Sequence, residues 1–255
     1  MYFCRFTNRL LLNSRNMKLS DYIIQETENR IALNKPAGLL SIPDREGKEV
    51  SLKDLLKQAY GNIFTVHRLD RDTSGLIIFA KNETAHKHLS GQFEHRETKK
   101  IYQGIILGVP AATEGTIEAP IMEHPVKKGL MVINRRGKEA VTEYQVLESF
   151  RSYSLVQFRI HTGRTHQIRI HMKDIGHPVA CDELYGDGKP VLLSMIKQRF
   201  KLSKHEEEER PVLGRLGLHS YQLSFKDLDG KEITLEAELP KDMRALLQQL
   251  RKWKK

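Results

Sequence analysis

Apolar positions fall in short blocks separated by turn residues. Ile31-Ala32-Leu33 is a compact run broken by Lys35-Pro36-Ala37-Gly38, which reads as a short strand entering a turn. Residues 51–60, SLKDLLKQAY, predict a helix capped by Ser51, with Asp54 three residues on in a capping-box pattern. Residues 75–81 predict a strand. Asn82 then caps a helix to about His95, with Ala85, Leu89 and Phe93 recurring every fourth residue. Residues 99–109, KKIYQGIILGV, are rich in β-branched side chains and read as another strand.

Gly115, Pro120, Pro125, Gly129 and Gly137 punctuate a turn-rich stretch of short hairpins, after which strands recur at about 141–149 and 153–160. Residues 165–175 predict a helix: Thr165 caps it, Ile168, Met172 and Ile175 share a face, and Gly176 and Pro178 end it. The alternation Ile168-Ile170-Met172 also permits a strand. The basic run and Glu206–Glu209 within 189–211 predict a solvated helix or loop. Strands at 219–226 and 231–238 precede a terminal helix from 241. Strands outnumber helices and do not alternate regularly with them, which predicts one α+β domain around a mostly antiparallel sheet, spanning 18–255.

Composition narrows the class. The 255 residues are 39% hydrophobic and 29% charged, enough for a sizeable core. No apolar stretch approaches the roughly 20 residues of a membrane span. Cys4 and Cys181 are too few for a disulfide framework or a cysteine metal site, and point to a reducing, cytoplasmic setting. The formal charge of +10 suits a polyanionic partner such as RNA. Residues 1–16 hold Arg5, Arg9 and Arg15 and no acid, resembling a mitochondrial presequence. The simpler expectation is an extension over 1–17, either a misassigned start ahead of Met17 or a flexible arm. Without those arginines, 39 basic residues still face 32 acidic ones.

Several motifs fail on inspection. Asp70 to Gly75 has the opening of a calcium loop, but the twelfth position, which needs a bidentate Glu, is Lys81. Asp72-Thr-Ser-Gly resembles an aspartic-protease turn with an extra Ser and no second copy. His161, His166 and His171 are five apart, a spacing that converges on neither a helix nor a strand, so no metal site is expected. Phosphate-loop, dinucleotide and nucleophile-elbow motifs are absent.

The cluster His67-Arg68-Leu69-Asp70-Arg71-Asp72-Thr73-Ser74-Gly75 then stands out, a carboxylate just before an apolar strand in a basic protein. It resembles the HRLD-x-x-TSG motif of the RluA-type pseudouridine synthases. Asn34 to Gly38 resembles that family's Lys-Pro-x-Gly turn, Lys100-Ile101-Tyr102 its Lys-x-Tyr strand, and Thr162 to Arg169 its TGRTHQIR segment. Gly176-His-Pro178, Tyr185-Gly186 and Leu218-His219 follow in the family's order, so the likeness spans about residues 22–240. Two departures bear on target recognition. Only about twenty residues precede the first strand, where relatives often carry an S4 RNA-binding domain, and 187–215 is longer than the usual link, with Leu-His-Ser in place of Leu-His-Ala.

The resemblance implies a pseudouridine synthase fold with its cleft across the sheet, and Asp70 as the carboxylate that adds to uracil C6 or assists release at C1′. A nucleophile of this kind must be ionised, which an opposite charge nearby favours. The resemblance names Arg169 as that partner, by two-pronged contact. It makes Tyr102 the ring that stacks on the base, with its hydroxyl near the C5 proton, and Arg68 the side chain that fills the space of the extruded base. Arg68 and Asp70, two residues apart, would share one side of a strand. His67, Lys35, Arg164 and Lys173 complete the candidate RNA contacts. An isomerisation needs no electron or group carrier, so neither cofactor nor metal is expected. The expected partner is a ribosomal or transfer RNA stem-loop, with no membrane, no obligatory protein partner and a monomeric chain. A non-catalytic RNA-binding protein, such as a ribosome-assembly chaperone, is the rival reading.

Overall fold

The structure, a computed structural model, describes residues 18–44, 46–202 and 208–253. The expected extension over 1–17 and residues 203–207, which include part of the acidic run, lie outside the described residues. Strands in chain order are β1 (Ile23–Glu26), β2 (Arg30–Lys35), β3 (Phe64–Thr65), β4 (Ser74–Ala80), β5 (Lys99–Leu107), β6 (Glu114–Glu118), β7 (Ile121–Glu123), β8 (Met131–Ile133), β9 (Val141–Ser149), β10 (Tyr153–Ile160), β11 (Leu218–Lys226) and β12 (Glu232–Glu236). Helices are α1 (Leu52–Tyr60), α2 (Glu83–Glu94), α3 (Gln167–Asp174) and α4 (Lys241–Lys252).

Ten strands form one sheet in the order β1-β2-β4-β11-β5-β10-β9-β6, with β12 paired to β11 and β3 to β4, while β7 and β8 make a separate hairpin. Every pairing is antiparallel except β11 with β4, which run parallel over His219↔Ser74 and Ser220↔Gly75. The fold is therefore the expected α+β class with a mostly antiparallel sheet. β11, late in the chain, lies between β4 and β5 and joins the sheet's two halves.

Alternation along the strands decides which helix covers which face. All seven residues of β4 are buried. Its Ile77 and Phe79 pack with Leu52 and Leu56 of α1, and its Leu76, Ile78 and Ala80 pack with Ala85 and Leu89 of α2. In the other half, Val156, Phe158 and Ile160 of β10 meet Ile168 and Met172 of α3, while Tyr153 and Leu155 meet Met243, Leu246, Leu247 and Leu250 of α4. Tyr102 on β5 packs against both the α1 and the α3 clusters, so it stands on the sheet face between them. The cleft opens there.

Local chemistry accounts for the helix starts. Ser51 and Asp54 cap one another's backbone, the full capping box. Asn82 Oδ1 accepts the Ala85 amide at 2.9 Å. Thr165 does not cap α3. The N-cap is His166, in the left-handed region at φ 55° and without a side-chain cap. Residues 189–211 are also not simply solvated, because Val191 bridges Leu213 and both are buried in the α4 core.

Candidate active site

Asp70 sits on the loop joining β3 to β4, not on a strand, and the loop is tied down on both sides of it. Ser41 Oγ donates to Leu69 O at 2.8 Å and accepts the Leu69 amide at 3.1 Å. Arg71 O accepts from the Gly38 amide and from Lys35 Nζ, both at 2.9 Å. The Ile78 amide donates to His67 Nε2 at 3.1 Å, and the His67 ring stacks on Phe93 at 4.5 Å between centroids. Gly75 follows at φ 114°, where a Cβ would lie 2.2 Å from Ser220 O, so the entry of β11 beside β4 requires glycine.

These ties correct two expectations. Lys35 is completely buried, and its Nζ donates to the carbonyls of Pro36, Leu39 and Arg71 at 2.8 to 3.0 Å. Three carbonyls match the three hydrogens of an ammonium. Burial pushes its pKa down to about 7, with Asp72 and Asp70 pulling the other way. Lys35 fastens the loop and has no surface to offer RNA. His67 likewise spends its ring on the strand behind it. Burial and then the Lys100 charge push it down to about 3, so it cannot serve as a cationic phosphate contact.

The cleft is lined on one side by Arg68, Asp70 and Thr73 and on the other by Arg164, Thr165, His166 and Arg169, with Tyr102 at its floor. Asp70, Tyr102, Arg169, Arg68 and Arg164 are thus brought together as expected. Lys173 is exposed on α3 outside this lining, its Nζ 5.9 Å from the Tyr185 ring centre. At the mouth, Arg68 Nη2 reaches across to Thr165 Oγ1 at 3.3 Å, and Arg164 Nε donates to Glu139 O at 2.9 Å.

The expected two-pronged pairing of Arg169 with Asp70 is not what the structure contains. Arg169 gives Nε and Nη2 to Asp182 at 2.7 and 2.8 Å. The pair is buried, with side chains 5% and 0% exposed. Burial would raise the Asp182 pKa, but Arg169 and the amides of Tyr185 and Leu184 outweigh it and hold the carboxyl below its usual range. Arg169 still lends its charge to Asp70, which together with Asp182 raises the guanidinium's own pKa against burial. The Asp70 carboxylate accepts no hydrogen bond from any described residue and faces the cleft unpaired.

Burial, and secondarily the Asp70 charge, push the Tyr102 phenol well above its ordinary value, with Ser220 opposing. Tyr102 therefore remains a neutral phenol. Beneath Arg169 lies the Tyr185 ring, 5.1 Å from the guanidinium carbon. Sequence reasoning passed over Asp182 and quoted Tyr185 only within the Tyr185-Gly186 pair that carried part of the resemblance, with no role in the site. His161 and His171 are spent elsewhere, on Glu143 at 2.7 Å and on Thr142 and Ala119 O at 3.0 and 2.9 Å.

Known proteins resemble this chain over most of its length. The sequence model described as RNA pseudouridylate synthase matches residues 29–174. An uncharacterised RNA pseudouridine synthase of Aquifex aeolicus is 36% identical over 239 residues, 88% of this chain and 71% of that protein. The ribosomal large subunit pseudouridine synthase D of Zymomonas mobilis is 34% identical over 89% of this chain and 72% of its own length, and that of Pseudomonas aeruginosa is 36% identical over 90% and 71%. Among solved structures, human RNA pseudouridylate synthase domain containing 4 superposes with a TM-score of 0.70 at 28% identity, covering 91% of this chain and 94% of that one. The chain belongs to the RNA pseudouridine synthase family, whose members are isomerases acting on RNA. The reading as a non-catalytic RNA-binding protein gives way to that membership.

Proposed function

We propose that this protein converts specific uridines of structured RNA to pseudouridine, with Asp70 as nucleophile and with the target base swung out of its stack into the cleft. The observation that carries the reading is the unpaired Asp70 carboxylate between Tyr102 and the Arg169–Asp182 pair. In the reaction the N1–C1′ bond breaks, the uracil turns, C5 bonds to C1′, the C5 proton leaves and N1 takes up a proton. Asp70 bonds transiently to C6 or C1′ and is released at the end, so atoms balance without a co-reactant. Arg169, held in place by Asp182, keeps its guanidinium in electrostatic contact with the Asp70 carboxylate.

Tyr102 offers a flat ring for stacking, the usual way an extracted base is held. A phenol kept neutral is poorly suited to serve as a free phenolate base, which favours the stacking role. Arg68, exposed at the mouth, suits the space the base vacates, and extrusion costs on the order of a few kcal/mol, least in a loop. Large-subunit ribosomal RNA is the favoured substrate, because relatives bearing that name match about nine-tenths of this chain. A transfer RNA stem-loop is the second choice. The test is a map of pseudouridines in ribosomal and transfer RNA from cells with and without the protein. One or a few sites should vanish, returning with the wild-type gene and not with Asp70→Asn. Unchanged maps would refute the proposal.

A further inference from the structure

His166 holds a conformation that side chains seldom adopt. Its φ of 55° places a non-glycine residue in the left-handed region at the start of α3, where it caps nothing with its side chain. Such a backbone is strained and persists where the surroundings fix it, commonly at functional sites. A chain of hydrogen bonds holds its side chain. The Met131 amide of the β7–β8 hairpin donates to Tyr185 Oη at 2.8 Å, and Tyr185 Oη lies 2.8 Å from His166 Nδ1.

The direction of that chain determines the tautomer. A hydroxyl that accepts from an amide has its one hydrogen left to give, and the acceptor within reach is Nδ1. Nδ1 is therefore bare and Nε2 carries the ring hydrogen. Burial lowers the His166 pKa and Arg169 adds to this, against the charges of Asp70, Asp182 and Asp72. The net fall keeps the ring neutral near pH 7. Burial likewise raises the Tyr185 pKa, so the phenol retains its hydrogen. Nε2 has no partner among the described residues, and His166 lines the cleft with Asp70.

We propose that His166 is a specificity-determining residue, its Nε2–H being a fixed donor to O4 of the extruded uracil, and that Tyr185 is the positioning residue that fixes it. The inference rests on the isomerase reading above. Of the charged groups nearest it, Asp70 only accepts, and Arg169 gives Nε and Nη2 to Asp182. Uracil presents two carbonyl oxygens on either side of N3–H, and cytosine replaces one of them with an amine. A donor that cannot reverse its polarity would meet that amine donor to donor, leaving both unpaired, which is how a hydrogen-bonding site rejects a near-isostere. Turning the imidazole over would sacrifice the Tyr185 bond.

The test combines tritium release from large-subunit ribosomal RNA transcribed with C5-labelled uridine and nitrogen NMR of histidine-labelled protein at pH 7. Asparagine tolerates the left-handed backbone, so His166→Asn should keep the fold, bind the transcript within about twofold of wild type and lose about 10- to 100-fold in kcat. His166→Gln, whose amide can reach the place of Nε2, should recover part of that loss. Tyr185→Phe should leave the wild-type Nε2–H signal replaced by a tautomer mixture, with a smaller loss in kcat. A wild-type His166 signal of the Nδ1–H or imidazolium form would overturn the proposal, as would full activity in His166→Asn. Wild-type inactivity would instead count against the isomerase reading, with the nitrogen signal still deciding the tautomer.

Discussion

Arg169 and Asp182 form a buried two-pronged ion pair, and Asp70, in the same cleft, is left with a free carboxylate. The division of labour follows from the chemistry of each group. A carboxylate locked by a guanidinium fork is a good anchor and a poor nucleophile. A carboxylate facing a guanidinium that is already neutralised retains its lone pairs for the substrate.

Removing one partner of this pair strands a buried charge. Asp182→Ala should therefore cost about 3–5 kcal/mol in urea unfolding, while Arg169→Met with Asp182→Leu should cost less than Asp182→Ala alone. In the wild type the contribution of Asp182 is fully present above the unfolded aspartate value of about 4. Because its folded pKa is depressed, that contribution disappears only as pH falls below this range.

Arg68 is exposed at the mouth and holds only a 3.3 Å contact to Thr165. Arg68→Ala should change stability by less than about 0.5 kcal/mol. It should weaken RNA binding, because the side chain that suits the space of the extruded base is removed. The check is filter binding beside thermal unfolding.

Acid should unfold the protein through two neutral histidines. His219 accepts from Ser74 Oγ at Nδ1 and donates to Ala237 O at Nε2, at 2.9 and 3.0 Å. Burial, partly opposed by the Ala237 bond, pushes it down to about 4, and His67 is pushed down to about 3. Between those values and the ordinary 6.5 the unfolded chain binds more protons, so stability falls as pH falls from 6.5 toward 4. For His219 alone the loss is on the order of 3 kcal/mol. His219→Asn should be less stable at pH 7 and show a flatter decline over that window in urea titrations.

Gly75→Ala should be among the most damaging small substitutions. Its φ of 114° disfavours a side chain, and the added carbon would lie 2.2 Å from Ser220 O and 2.6 Å from Ser220 N. The loss should exceed about 2 kcal/mol, seen as a lower Tm, with low soluble yield as the extreme outcome.

Elements whose cause is local were legible in the sequence. The Ser51–Asp54 capping box, the Asn82 cap and the strands at Val141–Ser149 and Tyr153–Ile160 all follow from spacing and alternation. The cleft membership of Asp70, Tyr102 and Arg169 was legible through the resemblance. What escaped depends on partners distant along the chain. Lys35 reads as a surface lysine until carbonyls at 36, 39 and 71 converge on it. Arg169 finds Asp182 thirteen residues on, across a turn that no periodicity predicts. The parallel seat of β11 beside β4 rests on two residue pairs about 145 positions apart.

The most direct measurement is tritium release from ribosomal and transfer RNA labelled at uridine C5, comparing wild type with Asp70→Asn at equal RNA occupancy. The free carboxylate predicts release by the wild type and a loss of at least about a thousandfold in Asp70→Asn, with folding and RNA affinity retained. Equal release by the two proteins would contradict the account.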